Sequence, residues 1–142
     1  MGQTYQSIVI NAPVDDVWNR LKDFHDLSWA PNVITSVDKV GDKNGTDIGA
    51  KRILNGAFHE TLLELHDDSH TQVYSIDDGP PPVSKADVVN YVGRVECHAE
   101  TEGGGTFVAW SSKWDNADGG AADFCHNVCV ALLGDLKKSL EP

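Results

Sequence analysis

The segment HETLLELHDD, residues 59–68, contains a glutamate that could do chemistry because of the side of a strand on which it falls. Phe58, Glu60 and Leu62 alternate along a run that is typical of a β-strand, so their side chains share one face. If that face is covered by apolar groups, burial raises the pKa of the Glu60 carboxyl and makes an unpaired carboxylate costly. Glu60 therefore needs a partner, a water network or a ligand.

Three roles for Glu60 remain open from the residues alone. In the structural interpretation an inward Lys or Arg, or the Tyr91 hydroxyl, pairs with the carboxylate. In the binding interpretation the carboxylate orients the polar end of a ligand through water. In the catalytic interpretation Glu60 acts as a general acid or base. Glu64 has the same parity and would also face inward, unless a β-bulge intervenes and leaves it in water.

The three cysteines and six histidines provide one further cluster. Cys125 and Cys129 stand four residues apart with His126 between them, a spacing at which a metal could bind. Both cysteines, however, fall on the apolar stripe of a predicted helix, where a free thiol packs as a small hydrophobic group. The chain also lacks a Ser-His-Asp order, a phosphate-binding glycine loop and a dinucleotide fingerprint. We therefore expect no metal and no cofactor.

The order of the elements that must position these residues predicts an α+β domain. A strand over residues 4–10 is followed by a helix near Pro13, and a second short helix or turn is expected before Pro31. Short turn sequences then separate further strand-like runs, as in an antiparallel meander. These runs are residues 33–40, 50–54, 58–66, 72–76, 88–99 and 106–115. Apolar residues recur at three- and four-residue spacing between residues 121 and 140, which predicts a long amphipathic helix.

The long helix is the predicted element that can cover one face of a curved, seven-stranded antiparallel sheet. A single helix cannot fill the concavity of such a sheet, so we expect a cavity between them. Outward parity at Leu63 and Leu65 indicates a partly apolar convex face and a monomer or weak homodimer. Strand parity and helical spacing predict these inward side chains: Leu62, Tyr74, Ile76, Val89, Tyr91, Val95, Cys97, Val108, Trp110, Ser112, Trp114, Phe124, Val128 and Leu132.

Several stretches carry a family resemblance over nearly the whole chain. They are INAPVDDVWNRLKDFHDLSWAPNV, ETLLELHDD, GPPPVSKADVVNYVGRVEC, GGGTFVAWSSKWD and LLGDLKKSL. With these motifs the chain resembles the START-related polyketide cyclase/dehydrase and lipid-transfer superfamily (SRPBCC), and in particular bacterial members that look like the plant abscisic-acid receptors. The resemblance implies a helix-grip fold, with loops 54–58 and 77–87 at the lips of a pocket. It also implies pocket-lining positions for Glu60, Tyr74, Tyr91, Trp110, Phe124, Val128 and Leu132.

The length and charge of the chain limit the number of domains and the classes of partner. The chain has 142 residues and a formal charge of −11, which fits one domain over residues 1–142 and disfavours nucleic acid and anionic membranes as partners. A basic N-terminal segment and an apolar run of about 20 residues are both missing, so we expect a cytoplasmic protein without a membrane anchor.

The function that we expect is binding of a small hydrophobic or amphipathic molecule, lipid- or polyketide-like, with Glu60, Tyr74 and Tyr91 setting its orientation. One alternative is a metal-free cyclase or dehydratase in which Glu60 moves a proton and Tyr91 polarises a carbonyl. Replacing Glu60 by Gln would then abolish turnover while barely altering the binding of an apolar ligand. A further alternative is a protein-interaction module with a filled core.

Overall fold

The computed structural model describes residues 2–116 and 120–141, and this part of the chain forms seven strands and two α-helices. The elements in chain order are β1 (Gly2–Ile10), α1 (Val14–Leu21), β2 (Val37–Val40), β3 (Lys51–Leu54), β4 (Phe58–His66), β5 (Thr71–Asp78), β6 (Val89–Ala99), β7 (Thr106–Asp115) and α2 (Ala121–Leu140).

The strands form one antiparallel sheet in the order β1-β7-β6-β5-β4-β3-β2. β2 to β7 form the expected meander, and β1 pairs with β7 at the far edge of the sheet. α2 buries one stripe, with Cys125, Cys129, Leu132 and Leu136 in the same core cluster as the inward residues of the strands. The predicted α+β helix-grip fold is confirmed.

The segment between α1 and β2 is the part of the fold that differs most from expectation. Residues 22–36, which we call the turn segment, form successive turns in place of the second short helix. Asp23 and Asp26 accept hydrogen bonds from the backbone N–H groups of His25 and Ser28, which gives the chain a local alternative to helical bonding. The Asn55 side chain binds the N–H groups of residues 35 and 36, and β2 accordingly begins at residue 37 instead of 33.

Two bulges change the predicted parity. A register shift between Leu62 and Glu64 turns Glu64 into solvent and brings Leu65 against the core, so the outward placement of Leu65 was wrong, whereas Leu63 is exposed as predicted. A second shift between residues 89 and 92 accompanies a positive φ of 56° at Asn90 and leaves Val89 exposed, which corrects its inward placement. A bulge inserts a residue into one strand, and every side chain on one side of it changes face.

One buried carboxylate connects α2 to the turn segment. Asp135, 5% exposed, accepts hydrogen bonds from the backbone N–H of Asn32 at 2.8 Å and from its side-chain amide at 2.9 Å. Both carboxylate oxygens are therefore satisfied, and the C-terminal half of α2 is held over the concave face of the sheet.

Candidate functional site

A central cavity of about 240 Å³ lies between α2, the concave face of the sheet and the turn segment. Of the nine side chains predicted to bind a ligand, Leu62 is the one that does not line it; Leu62 is fully buried in the core next to it. The other eight line the central cavity: Glu60, Tyr74, Ile76, Tyr91, Trp110, Phe124, Val128 and Leu132.

A buried ion pair lies in the wall of the central cavity. Arg52 on β3 faces Glu60 on β4, and the two residues are direct partners in the strand register. The Arg52 Nε and Nη2 atoms donate to Glu60 Oε1 at 2.9 and 2.6 Å, and both side chains are only 6% exposed. Arg52 Nη1 donates to the carbonyl of Phe24 at 2.8 Å, and the guanidinium lies 3.7 Å from the centre of the Phe24 ring.

The surroundings of Glu60 act on its acidity in opposite directions. Burial raises its pKa above the ordinary value, while the charge of Arg52 and its hydrogen bonds lower it. The net direction is upward because removal from water costs the charged form more than Arg52 returns. The inward orientation of Glu60 is as predicted, and the partner belongs to the structural interpretation: an inward arginine.

The sequence contained a signal for the inward orientation of Arg52. Arg52 and Leu54 have the same parity on β3, and Leu54 is buried at 4% exposure, so an inward Leu54 requires an inward Arg52. The strand has only four residues and carries Lys51 beside Arg52. That length is too short for alternation to indicate which of the two cations faces inward.

Aromatic residues of the central strands form another part of the wall. Trp110 Nε1 donates to the Tyr74 hydroxyl at 2.9 Å, and the two rings meet edge to face at 6.4 Å. The Tyr91 ring stacks on Trp114 at 5.5 Å. Burial raises the pKa of both tyrosines well above the ordinary value, so both phenols are neutral at physiological pH.

The two loops that the resemblance indicated both contribute to the lining of the central cavity. Leu54, Asn55 and Phe58 contribute from one loop and Val83 from the other, and the Phe58 ring stacks on Phe124 of α2 at 6.2 Å. Asn55, with a φ of 56°, accepts from the Thr35 N–H at 2.7 Å and donates to the Val33 carbonyl at 3.0 Å. These bonds hold the first loop against the turn segment.

Two thiols on α2, Cys125 and Cys129, also line the central cavity. Burial raises the pKa of Cys129 and that of the core residue Cys97 to about 12, and raises the pKa of Cys125 above its ordinary value. Protonated thiols are poor nucleophiles and poor metal ligands. No group of three or more His, Cys, Asp or Glu within residues 2–116 and 120–141 is arranged to hold a metal ion.

We expect the cysteines to be inert in the folded protein. With 5,5′-dithiobis(2-nitrobenzoic acid) at pH 8, the folded chain should release almost no coloured thiolate, because all three thiols are buried and protonated. The same chain in guanidinium chloride should release three equivalents. Rapid labelling of the folded protein would contradict the burial of these thiols.

The chain matches the model of one protein family. A model of the family described as polyketide cyclase / dehydrase and lipid transport matches residues 1–141. The chain belongs to this family. The predicted family resemblance is therefore confirmed. A comparison with curated protein sequences gave no match.

Solved structures resemble this chain over almost its full length. A protein from Nitrosospira multiformis is 42% identical with a TM-score of 0.95, over 98% of this chain and 96% of that chain. The protein XoxI from Bacillus cereus is 23% identical with a TM-score of 0.79, over 99% and 96%. Major latex-like protein 151 from Panax ginseng is 14% identical with a TM-score of 0.78, over 99% and 98%. At 23% and 14% identity, the similarity shows the fold alone.

Neither helix in the described part of the chain combines the length and the hydropathy that crossing a membrane requires.

Proposed function

We propose that this protein binds a small hydrophobic or amphipathic ligand in the central cavity. The observation that carries the proposal is a mostly apolar and aromatic wall, to which two loops contribute, around one buried ion pair. Ligand sites are typically concave and apolar with a few polar groups that fix orientation. The membership in a family described by lipid transport and by polyketide chemistry supports the same function.

The size of the central cavity limits the ligand. Its volume of about 240 Å³ is below the range of roughly 300–1,000 Å³ that is usual for drug-sized ligands. A compact molecule therefore fits, and a longer one has to extend beyond the central cavity. Removal of apolar surface from water drives such binding, at roughly 25 cal/mol for each Å² that is buried.

A blocked cavity provides the direct test. Val128 lines the central cavity, so the substitution Val128→Trp should fill it and weaken binding of the neutral fluorescent probe N-phenyl-1-naphthylamine at least about tenfold. Val130, two residues along the same helix, is 49% exposed and does not line the cavity. The matched variant Val130→Trp should therefore bind the probe like the natural protein.

The readout is the rise in probe fluorescence on titration, with the melting temperature of each variant measured alongside. Equal binding by both variants would contradict the proposal. Native mass spectrometry of the purified protein gives an independent observation, because a co-purified small molecule should be lost in Val128→Trp and retained in Val130→Trp.

Proton transfer at Glu60 is the second candidate, and the raised pKa of this carboxyl favours it. In this case Glu60 exchanges a proton with a polyketide-like substrate whose carbonyl meets the Tyr91 hydroxyl. We place it second because Arg52 holds Oε1 through two hydrogen bonds, which supports a positioning role for the carboxylate. The interaction module with a filled core is disfavoured by the volume of the cavity.

A further inference from the structure

We propose that the ligand of the central cavity is a neutral molecule whose O–H or N–H group donates a hydrogen bond to Glu60 Oε2. This inference rests on the proposed function and adds to it the chemical class of the ligand. Three features of the site support it: the way in which Arg52 binds the carboxylate, the contact of Glu60 with the central cavity, and the balance of charges in the cavity wall.

Arg52 binds the carboxylate through one oxygen. A guanidinium commonly holds a carboxylate with two parallel hydrogen bonds, one to each oxygen. Here the Nε and Nη2 donors both converge on Glu60 Oε1, and Nη1 is directed to the Phe24 carbonyl. Among residues 2–116 and 120–141, no donor is within hydrogen-bonding distance and geometry of Oε2.

The free oxygen is in contact with the space of the cavity. Within the described residues, Trp114 Nε1 is the one side-chain nitrogen or oxygen that is fully buried and has no hydrogen bond. Glu60 Oε2 also has no hydrogen bond, but this atom is not fully buried, although Glu60 as a whole is only 6% exposed. Since Glu60 lines the central cavity, we infer that the accessible surface of Oε2 faces that space.

The charges in the wall disfavour an ionised ligand. Arg52 and Glu60 are the charged side chains of the lining, and their charges cancel. A ligand carboxylate would bring a second negative charge to Glu60, and a ligand ammonium would bring a second positive charge to Arg52. Neither has an unpaired counter-charge in the described wall, and burying an unpaired charge is costly. A neutral donor satisfies Oε2 without adding charge.

Four aromatic probes of nearly equal size separate these classes at pH 7. They are naphthalene, 2-naphthol, 2-naphthoate and protonated 2-(aminomethyl)naphthalene, each tested by displacement of N-phenyl-1-naphthylamine. We expect 2-naphthol to bind at least about tenfold more tightly than naphthalene, because a hydrogen bond to a charged acceptor contributes about that factor or more. The two ionised probes should bind more weakly than naphthalene.

The double variant Arg52→Met with Glu60→Leu tests the assignment to Oε2. It removes both charges together, so within this variant 2-naphthol should bind no more tightly than naphthalene. The ranking of the probes in the natural protein needs no variant and is sufficient to overturn the inference.

The outcomes separate this inference from the proposed function. Equal binding of naphthalene and 2-naphthol, tightest binding of 2-naphthoate or of the amine, or a 2-naphthol preference that survives in the double variant would each overturn the donor assignment and leave the cavity as a binding site. A protein that takes up neither N-phenyl-1-naphthylamine nor any of the four probes overturns the proposed function as well.

Discussion

Arg52→Met should lower the free energy of unfolding by about 3–5 kcal/mol at pH 7.5, because it leaves the Glu60 carboxylate buried without its counter-charge. Both side chains are 6% exposed, so the carboxylate would lose the two hydrogen bonds that Arg52 donates to Oε1 at a position largely removed from bulk water. Urea denaturation followed by tryptophan fluorescence measures the loss. The double variant Arg52→Met with Glu60→Leu should recover most of it, since apolar residues often replace a buried ion pair at little cost.

The deficit of Arg52→Met should also depend on pH in a defined direction. The pKa of Glu60 in the folded protein is raised above its ordinary value of 4.5, and removing Arg52 removes the charge and hydrogen bonds that lower it. Between the ordinary pKa and the folded pKa the folded state holds more protons than the unfolded state, so stability increases as pH falls.

The loss in Arg52→Met should accordingly be largest above the folded pKa and should shrink as pH falls toward 4.5, because the carboxyl is neutral in both states only below that value. Denaturation curves at pH 7.5, 6 and 4.5 measure this trend against the natural protein at each pH. A deficit of the same size at all three values would show that Glu60 is not the group left unpaired.

Gly93→Ala should destabilise the protein by about 1–3 kcal/mol, because the added methyl group would overlap the Tyr74 ring. Gly93 and Tyr74 are partners in the register of β6 and β5, and the ring lies across the position that a Cβ at Gly93 would occupy. Movement of the ring would break the hydrogen bond from Trp110 to the Tyr74 hydroxyl and change the wall of the central cavity. Both the unfolding free energy and probe binding should therefore decrease.

Gly134→Ala is the matched control, with an effect of the opposite sign. Gly134 lies inside α2, and a Cβ added there meets nothing within 4 Å. Alanine in a helix interior is more stable than glycine by about 0.5–1 kcal/mol, so this variant should unfold at a higher urea concentration. If both alanine variants changed stability in the same direction, the close approach of Tyr74 to Gly93 would not be the cause.

Local patterns in the sequence were sufficient to predict most of the fold. The positions of β4 and β7 were predicted to the residue, and the periodic apolar stripe predicted α2. The inward orientation of Glu60 followed from its parity with Phe58 and Leu62. These features depend on periods of two and 3.6 residues, which short stretches of chain carry by themselves. The ligand-binding role of the lining residues, the oligomeric state and the cellular location stay predictions.

The tertiary structure alone decided which side chains meet. The bulges near Leu62 and Val89 arise where one strand pairs with its neighbour, and they moved Leu65 inward and Val89 outward against the local pattern. The Arg52–Glu60 pair depends on the register of β3 with β4, and the free Oε2 depends on the angle at which the guanidinium approaches. Alternation along a strand specifies a face, whereas register and approach angle are set by contacts between strands that a single stretch of sequence does not contain.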